Sequence, residues 1–289
     1  MDILCERRCK IGEGPTWNAR DKRLYFVNGY ENEFIAVDIE TRSAEVIKLP
    51  PPLTGVAAIA FTEKGEPILS RDNGVFILRE GKYYPLYDTE KYELAWCNDM
   101  KVGPDGRIYV GTLSEQKRGV SDKIDGKLYS IDKNGKVREL LSGIRVSNGM
   151  AWSRDESRFY YTDSDTKIIK EFAFDKESGD IKFTGRELHV PGVDGFTIDE
   201  NDRLFVGCWG KGRVTVVDTE KMEILYHIGV PARIPTSCSF AGENMDKLIV
   251  VSATYGIPES EWGNDGMTFI HSPDAKGREP YLFDGEKVR

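Results

Sequence analysis

Several things are missing from this chain, and each absence excludes something. No apolar run approaches the roughly 18 to 20 residues of a membrane-spanning helix, so no membrane insertion is expected. No basic excess is present: 40 Lys and Arg stand against 48 Asp and Glu, a net charge of -8 that repels phosphate backbones and argues against a nucleic-acid partner. The five cysteines, Cys5, Cys9, Cys97, Cys208 and Cys238, are odd in number and scattered, with no C-x-x-C metal pair, and are expected to be free thiols. The three histidines, His189, His227 and His271, belong to no nucleophile motif, which leaves a serine-type mechanism little support. Met1 to Arg8 lacks the ordered regions of a signal peptide, so the expected location is cytoplasmic.

What is present is repetition. Gly12-Glu13-Gly14-Pro15-Thr16-Trp17 opens a type of segment that returns five more times at intervals of roughly 40 to 50 residues. The later openings are Gly55-Val56-Ala57, Cys97-Asn98-Asp99, Ser147-Asn148-Gly149, Val193-Asp194-Gly195 and Thr236-Ser237-Cys238. Each precedes an alternating strand, a turn such as Pro104-Asp105-Gly106, and an aromatic strand. Arg23–Asn28, Phe34–Asp38 and Ala44–Lys48 supply the later strands of the first unit; Arg158–Thr162 and Ile168–Phe174 do so in the fourth. The pattern predicts an all-β fold, a six-bladed β-propeller of four-stranded antiparallel blades. Hydrophobic residues make up 39% of the 289, enough to fill such a core as one domain over 1–289. The sixth unit lacks a good last strand, and the strand-like Met1–Lys10 is expected to pair into that blade and remove an exposed edge. Asp88–Leu94 and Ser114–Lys123 read as irregular excursions on the channel faces.

In a propeller the first strand of each blade lines the central channel, so Glu13, Asn98, Asn148 and Asp194 should converge at one mouth. Two carboxylates and two amides there point to a hard divalent cation, which takes oxygen ligands, and Glu13, Asn148 and Asp194 satisfy that chemistry. Ca²⁺, Mg²⁺ and Mn²⁺ suit the set, and Zn²⁺ suits an open site. The competing reading is that Asn148-Gly149 and Asp194-Gly195 are ordinary turn formers. Gly207-Cys208-Trp209-Gly210-Lys211-Gly212-Arg213 leads into no helix and reads as a hairpin rather than a phosphate cradle. Asp163-Ser164-Asp165 lacks the downstream spacing of a calcium loop and reads as a turn.

These residues carry a resemblance. Gly12–Trp17, Asn98–Arg107, Ser147–Ser153, Tyr161–Ser164 with Phe172–Asp175, Val193–Asp199 and Pro235–Phe240 together resemble the SMP-30/gluconolactonase/regucalcin family, with its luciferin-regenerating enzyme-like members. The resemblance spans nearly the whole chain. It implies a six-bladed propeller with one catalytic divalent metal, ligated here by Glu13, Asn148 and Asp194, and a small-molecule lactone as substrate. It also implies that Asn98 contacts substrate or a metal-bound water, and that Asp194 is catalytic as ligand and general base.

One departure stands out. Sugar-lactone-active relatives often carry an arginine where this chain has Trp96, and Met100 replaces the glycine after Asn-Asp. Losing five N–H donors weakens the expectation of a highly hydroxylated substrate. An aromatic wall of Trp96 with Trp209 and Tyr255 suits a more apolar lactone or ester; the alternative is that Trp96 is a buried packing residue. Glu115 is a candidate substrate contact, its plainer reading a solvated loop charge. A phosphotriester hydrolase and a non-enzymatic calcium-binding or interaction propeller are the other functional readings.

Overall fold

Period-two alternation bounded by turns folds into six sheets of four antiparallel strands. The computed structural model describes residues 1–51, 55–71, 74–94 and 96–285, so the expected span of 1–289 includes ten positions outside the described residues. After β1 (Asp2–Cys5), the first blade is β2 (Gly12–Asn18), β3 (Arg23–Asn28), β4 (Glu33–Val37) and β5 (Ala44–Lys48). The second is β6 (Val56–Phe61), β7 (Pro67–Arg71), β8 (Gly74–Arg79) and β9 (Lys82–Pro85). The third is β10 (Cys97–Val102), β11 (Ile108–Thr112), β12 (Gly126–Ile131) and β13 (Val137–Ile144), with a one-turn helix, α1 (Glu115–Arg118), between its second and third strands. The fourth is β14 (Ser147–Trp152), β15 (Arg158–Asp163), β16 (Ile168–Asp175) and β17 (Asp180–His189). The fifth is β18 (Val193–Ile198), β19 (Arg203–Cys208), β20 (Arg213–Asp218) and β21 (Glu223–Gly229). The sixth is β22 (Pro235–Ala241), β23 (Lys247–Ser252) and β24 (Thr268–His271), with β1 as its outer strand. No helix among the described residues is long and apolar enough to cross a membrane.

Burial falls from the channel outward, which is the physical content of the sequence pattern. Every residue of β22 is buried, whereas all but one residue of β21 is exposed. The inner strands, covered on both faces, are rich in apolar residues, and the outer strands alternate with charge. Neighbouring blades meet through aromatic side chains such as Trp152, whose ring lies 5.0 Å from Tyr109 and 4.9 Å from Phe159. Such pairs contribute roughly 1 kcal/mol each beyond the area they bury.

Two devices lock the ring. At its seam, the fully buried Glu33 accepts from Arg7 (2.6 Å), Lys48 (2.5 Å) and Asn28 (3.0 Å), and Asn28 in turn accepts from the Lys10 amide. This network holds the segment between β1 and β2. Across the face away from the sequence-predicted mouth runs residues 274–285, a strap touching five blades. Its Gly277 amide donates to Met245, its Lys276 carbonyl accepts from Glu200, Arg278 donates to the carbonyls of Trp152 and Ser153, Lys133 pairs with Asp284, and Phe283 exchanges backbone hydrogen bonds with Phe61 and Glu63. All five cysteines are free and buried.

Candidate functional site

The six innermost strands present their second residue at one level of the channel. In order around the ring these are Glu13, Ala57, Asn98, Asn148, Asp194 and Thr236. Each of the six strands also breaks register against its neighbour at this level, for example between Glu13 and Thr16, between Asn148 and Met150, and between Val193 and Phe196. A bulge leaves one residue out of the ladder and re-aims its side chain, and bulges concentrate beside functional sites. Gly149 shows why the backbone is constrained there. It sits at φ +23°, and a Cβ would lie 2.2 Å from the Phe196 ring and 2.7 Å from the Asp194 carbonyl.

The residues named from sequence thus meet at one mouth. Asn98 Nδ2 donates to Asn148 Oδ1 at 3.2 Å and to the Ser147 carbonyl at 2.9 Å. Asn148 Nδ2 donates to Ser164 Oγ at 3.0 Å, so the Asn148 amide oxygen faces Asn98. Ser147 Oγ accepts from the buried Tyr161 hydroxyl at 2.8 Å, and the Asn98 carbonyl accepts from Ser70. Asp163 belongs to the turn that supports Asn148: its carboxylate accepts from the amides of Arg145 and Val146.

Electrostatically the mouth is acidic and strained. Burial pushes the Glu13 carboxyl well above the usual carboxylate range, and the charges of Asp194 and Asp99 push it further, against one hydrogen bond from the Gly14 amide. Burial likewise raises Asp194, with Asp99 adding to it and the Gly195 amide and Lys117 opposing. Among the described residues neither carboxylate belongs to an ion pair. Nor does any cluster of three or more His, Cys, Asp or Glu gather there; the donor set is two carboxylates completed by amide oxygens.

Below the mouth, sequence reasoning had passed over Asp99 and Lys101. Both line the channel interior with Thr197, Ser237 and Ser239, and Arg278, Tyr281 and Leu282 of the strap close its far end. Lys101 Nζ reaches across the channel to the Phe196 carbonyl at 2.6 Å. Burial lowers the Lys101 pKa and raises that of Asp99, each effect reduced by the other's charge. The available signal was positional, since both sit two residues apart on a strand already assigned to the channel.

Around the mouth stand exposed aromatic rings. Tyr30 stacks on Tyr255 with centroids 5.9 Å apart, and Trp209 lies 6.1 Å from Tyr255. Trp96 is 42% exposed, so it is no core residue, and it holds a left-handed φ of +56°. Glu115 turns its carboxylate into its own excursion, accepting from Ser121 Oγ at 2.6 Å. The three histidines lie away from the innermost strands: His189 ends the outer strand β17, His227 lies in the outer strand β21 and His271 ends β24, the third strand of its blade.

Sequence comparison agrees with the geometry. The SMP-30/gluconolactonase/LRE-like region matches residues 11–254. The chain belongs to that family. It is 29% identical to the pentonolactonase XacC of Haloferax volcanii over 86% of this chain and 84% of that protein, and 28% identical to human regucalcin over 99% and 98%. Among solved structures it resembles a regucalcin of Agrobacterium tumefaciens, described as a calcium-binding protein, with a TM-score of 0.86 at 24% identity, covering 97% of this chain and 96% of that one. A luciferin-regenerating enzyme gives 0.84 at 25% identity, covering 96% of each. A gluconolactonase of Xanthomonas campestris gives 0.74 at 18% identity, covering 94% of this chain and 89% of that one. At 24% and 18% identity the regucalcin and the gluconolactonase speak for the fold alone.

Proposed function

We propose that this protein is a lactone hydrolase that uses one divalent cation, held by Glu13, Asn148 and Asp194. The observation that carries the reading is the pair of channel carboxylates whose charge no protein cation balances directly, placed in register with two amides. Burying two such anions together is costly unless they are neutralised, and a hard cation with oxygen ligands neutralises both. The relatives' names, pentonolactonase and gluconolactonase among them, supply the substrate class.

Bound there, a divalent cation polarises an ester carbonyl and makes water more acidic. The chain's own residues do the rest. Asp194 accepts a proton from the attacking water as the water oxygen bonds to the carbonyl carbon. The ring C–O bond then breaks, and the proton passes from Asp194 to the departing alkoxide, giving the hydroxy acid. Asn98, whose two amide hydrogens are held by the Ser147 carbonyl and Asn148, turns its amide oxygen to accept from a substrate hydroxyl or from water. Trp209 and Tyr255 offer apolar faces to the part of the substrate outside the ring. Glu115 has a lesser part, since its carboxylate is already engaged by Ser121.

The test is hydrolysis of a lactone panel, from gluconolactone to alkyl-substituted butyrolactones, by metal-stripped protein refilled with single cations, beside Asp194→Ala. The expected result is turnover restored by a cation and lowered by about a thousandfold or more in the variant. Turnover that survives both stripping and the substitution overturns the reading.

A further inference from the structure

The excursion between β11 and β12 brings two cations to the mouth from a part of the chain remote from the strand openings. It is tied to the segment that carries Asn148: Ser114 donates to the Arg145 carbonyl at 3.0 Å, Gln116 Oε1 accepts from Arg145 Nε at 3.1 Å, and Leu113 bridges to Val146. Within it, α1 is capped by Ser114, whose hydroxyl accepts from the Lys117 amide, and by Gly119 in the left-handed conformation. The helix ends on Lys117 and Arg118.

Arg118 places its guanidinium carbon 5.0 Å from the centre of the Trp96 ring. Trp96 is two residues before Asn98, and its carbonyl accepts from Leu113 at 3.0 Å, so the ring and the excursion are fixed to the same strand end. Among the described residues Arg118 has no carboxylate partner, and its Nε is shielded from solvent without a hydrogen bond. Glu115, the acidic residue of the same helical turn, is occupied by Ser121 and Lys123. Lys117 adjoins Arg118 in the last turn of α1, on the excursion that is tied to the segment carrying Asn148. A bulky residue at positive φ is uncommon and costs of order 1 kcal/mol or more. Here that backbone strain buys a platform for the guanidinium.

We propose that Arg118, laid on the face of Trp96, is a specificity-determining residue that selects lactones carrying a carboxylate substituent. The inference rests on the lactone-hydrolase reading for the reaction, but not for the binding of the anion. A guanidinium stacked on a ring keeps its in-plane N–H groups directed outward as a planar fork, which matches the two oxygens of a carboxylate. A second cation at Lys117 reinforces that preference over a neutral hydroxyl. The cation missing at position 96 thus returns from position 118, with Trp96 as its support.

The test compares the butyrolactone bearing a carboxylate on the carbon beside the ring oxygen with its carboxamide, in wild type, Arg118→Gln, Arg118→Lys and Trp96→Leu. Wild type is expected to favour the carboxylate in kcat/KM by about tenfold or more, a difference that shrinks with added salt. Arg118→Gln should bring the ratio to within about twofold, chiefly through KM, while Arg118→Lys retains part of it. Equal kcat/KM for the two lactones in wild type, or loss of both by one factor in Arg118→Gln, overturns the proposal. If neither lactone turns over, the lactone panel decides the reaction, and Trp fluorescence titrated with the ring-opened hydroxy diacid decides Arg118 separately. Binding weakened about tenfold by Arg118→Gln upholds the anion subsite; no binding, or binding unchanged in the variant, overturns it.

Discussion

At the scale of the residue, the second position of each inner strand is where the proposed chemistry is placed. Four of the six carry carboxylate or amide oxygens, and the register breaks at the same level: Asn98 and Asp194 fall within the break, while Glu13 and Asn148 are the last paired residues before it. A raised carboxyl pKa has a definite sign in stability. Glu13 and Asp194 hold folded-state values above their unfolded ones, so they cost nothing below the ordinary range near about pH 4, and folding loses stability as pH rises through the raised values. In metal-free protein, the melting temperature of Asp194→Asn relative to wild type should therefore rise between about pH 5 and about pH 8. Added Ca²⁺ should stabilise wild type most at the alkaline end and Asp194→Asn little. A pH-independent difference between the two proteins contradicts this account. These positions were legible because each opening stood in phase with the repeat. Arg118 over Trp96 was not, since no local pattern tells that a helix turn 22 residues later folds back onto a given ring.

At the scale of the element, the seam between β1 and β2 depends on a buried carboxylate. Burial would raise the Glu33 carboxyl, but hydrogen bonds from Lys48, Arg7 and Asn28 more than offset this and hold it below the usual range. The sign is opposite to that at the mouth: this stabilisation is present above the unfolded value near about pH 4.3 and is lost as pH falls through the lowered one. Glu33→Gln removes the charge that Arg7 and Lys48 satisfy, and a loss of about 2 kcal/mol is expected by urea unfolding at neutral pH. The deficit should shrink as the solution is acidified. An unchanged unfolding midpoint at neutral pH would show that the seam is held by its strand pairing alone. Strand positions came directly from alternation and turns, and the bounds differ from expectation by a residue or so, as with β4, Glu33–Val37 against the expected Phe34–Asp38. The helical turn of α1 was not legible, because four residues with no buried side chain carry no periodicity.

At the scale of the molecule, the channel has one open mouth and one closed end. The strap of residues 274–285 crosses the closed end and seats the fully buried Phe283 against the second and third blades. Phe283→Ala should cost about 3 kcal/mol through the lost ring and the cavity left behind. Its effect on kcat/KM should be small compared with that on the melting temperature; a loss of activity without loss of stability would mean that the strap shapes the site directly. The strap escaped sequence reasoning for a physical reason. It forms no long strand, and its backbone hydrogen bonds go to carbonyls and amides scattered from Phe61 to Met245, a pattern no local period encodes. Six blades, by contrast, repeat their own signal.

The central claim is that Glu13, Asn148 and Asp194 hold a single divalent cation at the open mouth, and calorimetric titration of metal-stripped protein with Ca²⁺ tests it most directly. In buffers of different ionisation enthalpy near neutral pH, the account predicts one ion per chain, with protons released as the raised carboxyls give up what they retain, and binding abolished in Asp194→Asn. Binding of equal affinity and stoichiometry in Asp194→Asn, or no binding of Ca²⁺, Mg²⁺, Mn²⁺ or Zn²⁺ by the wild-type protein, would contradict it.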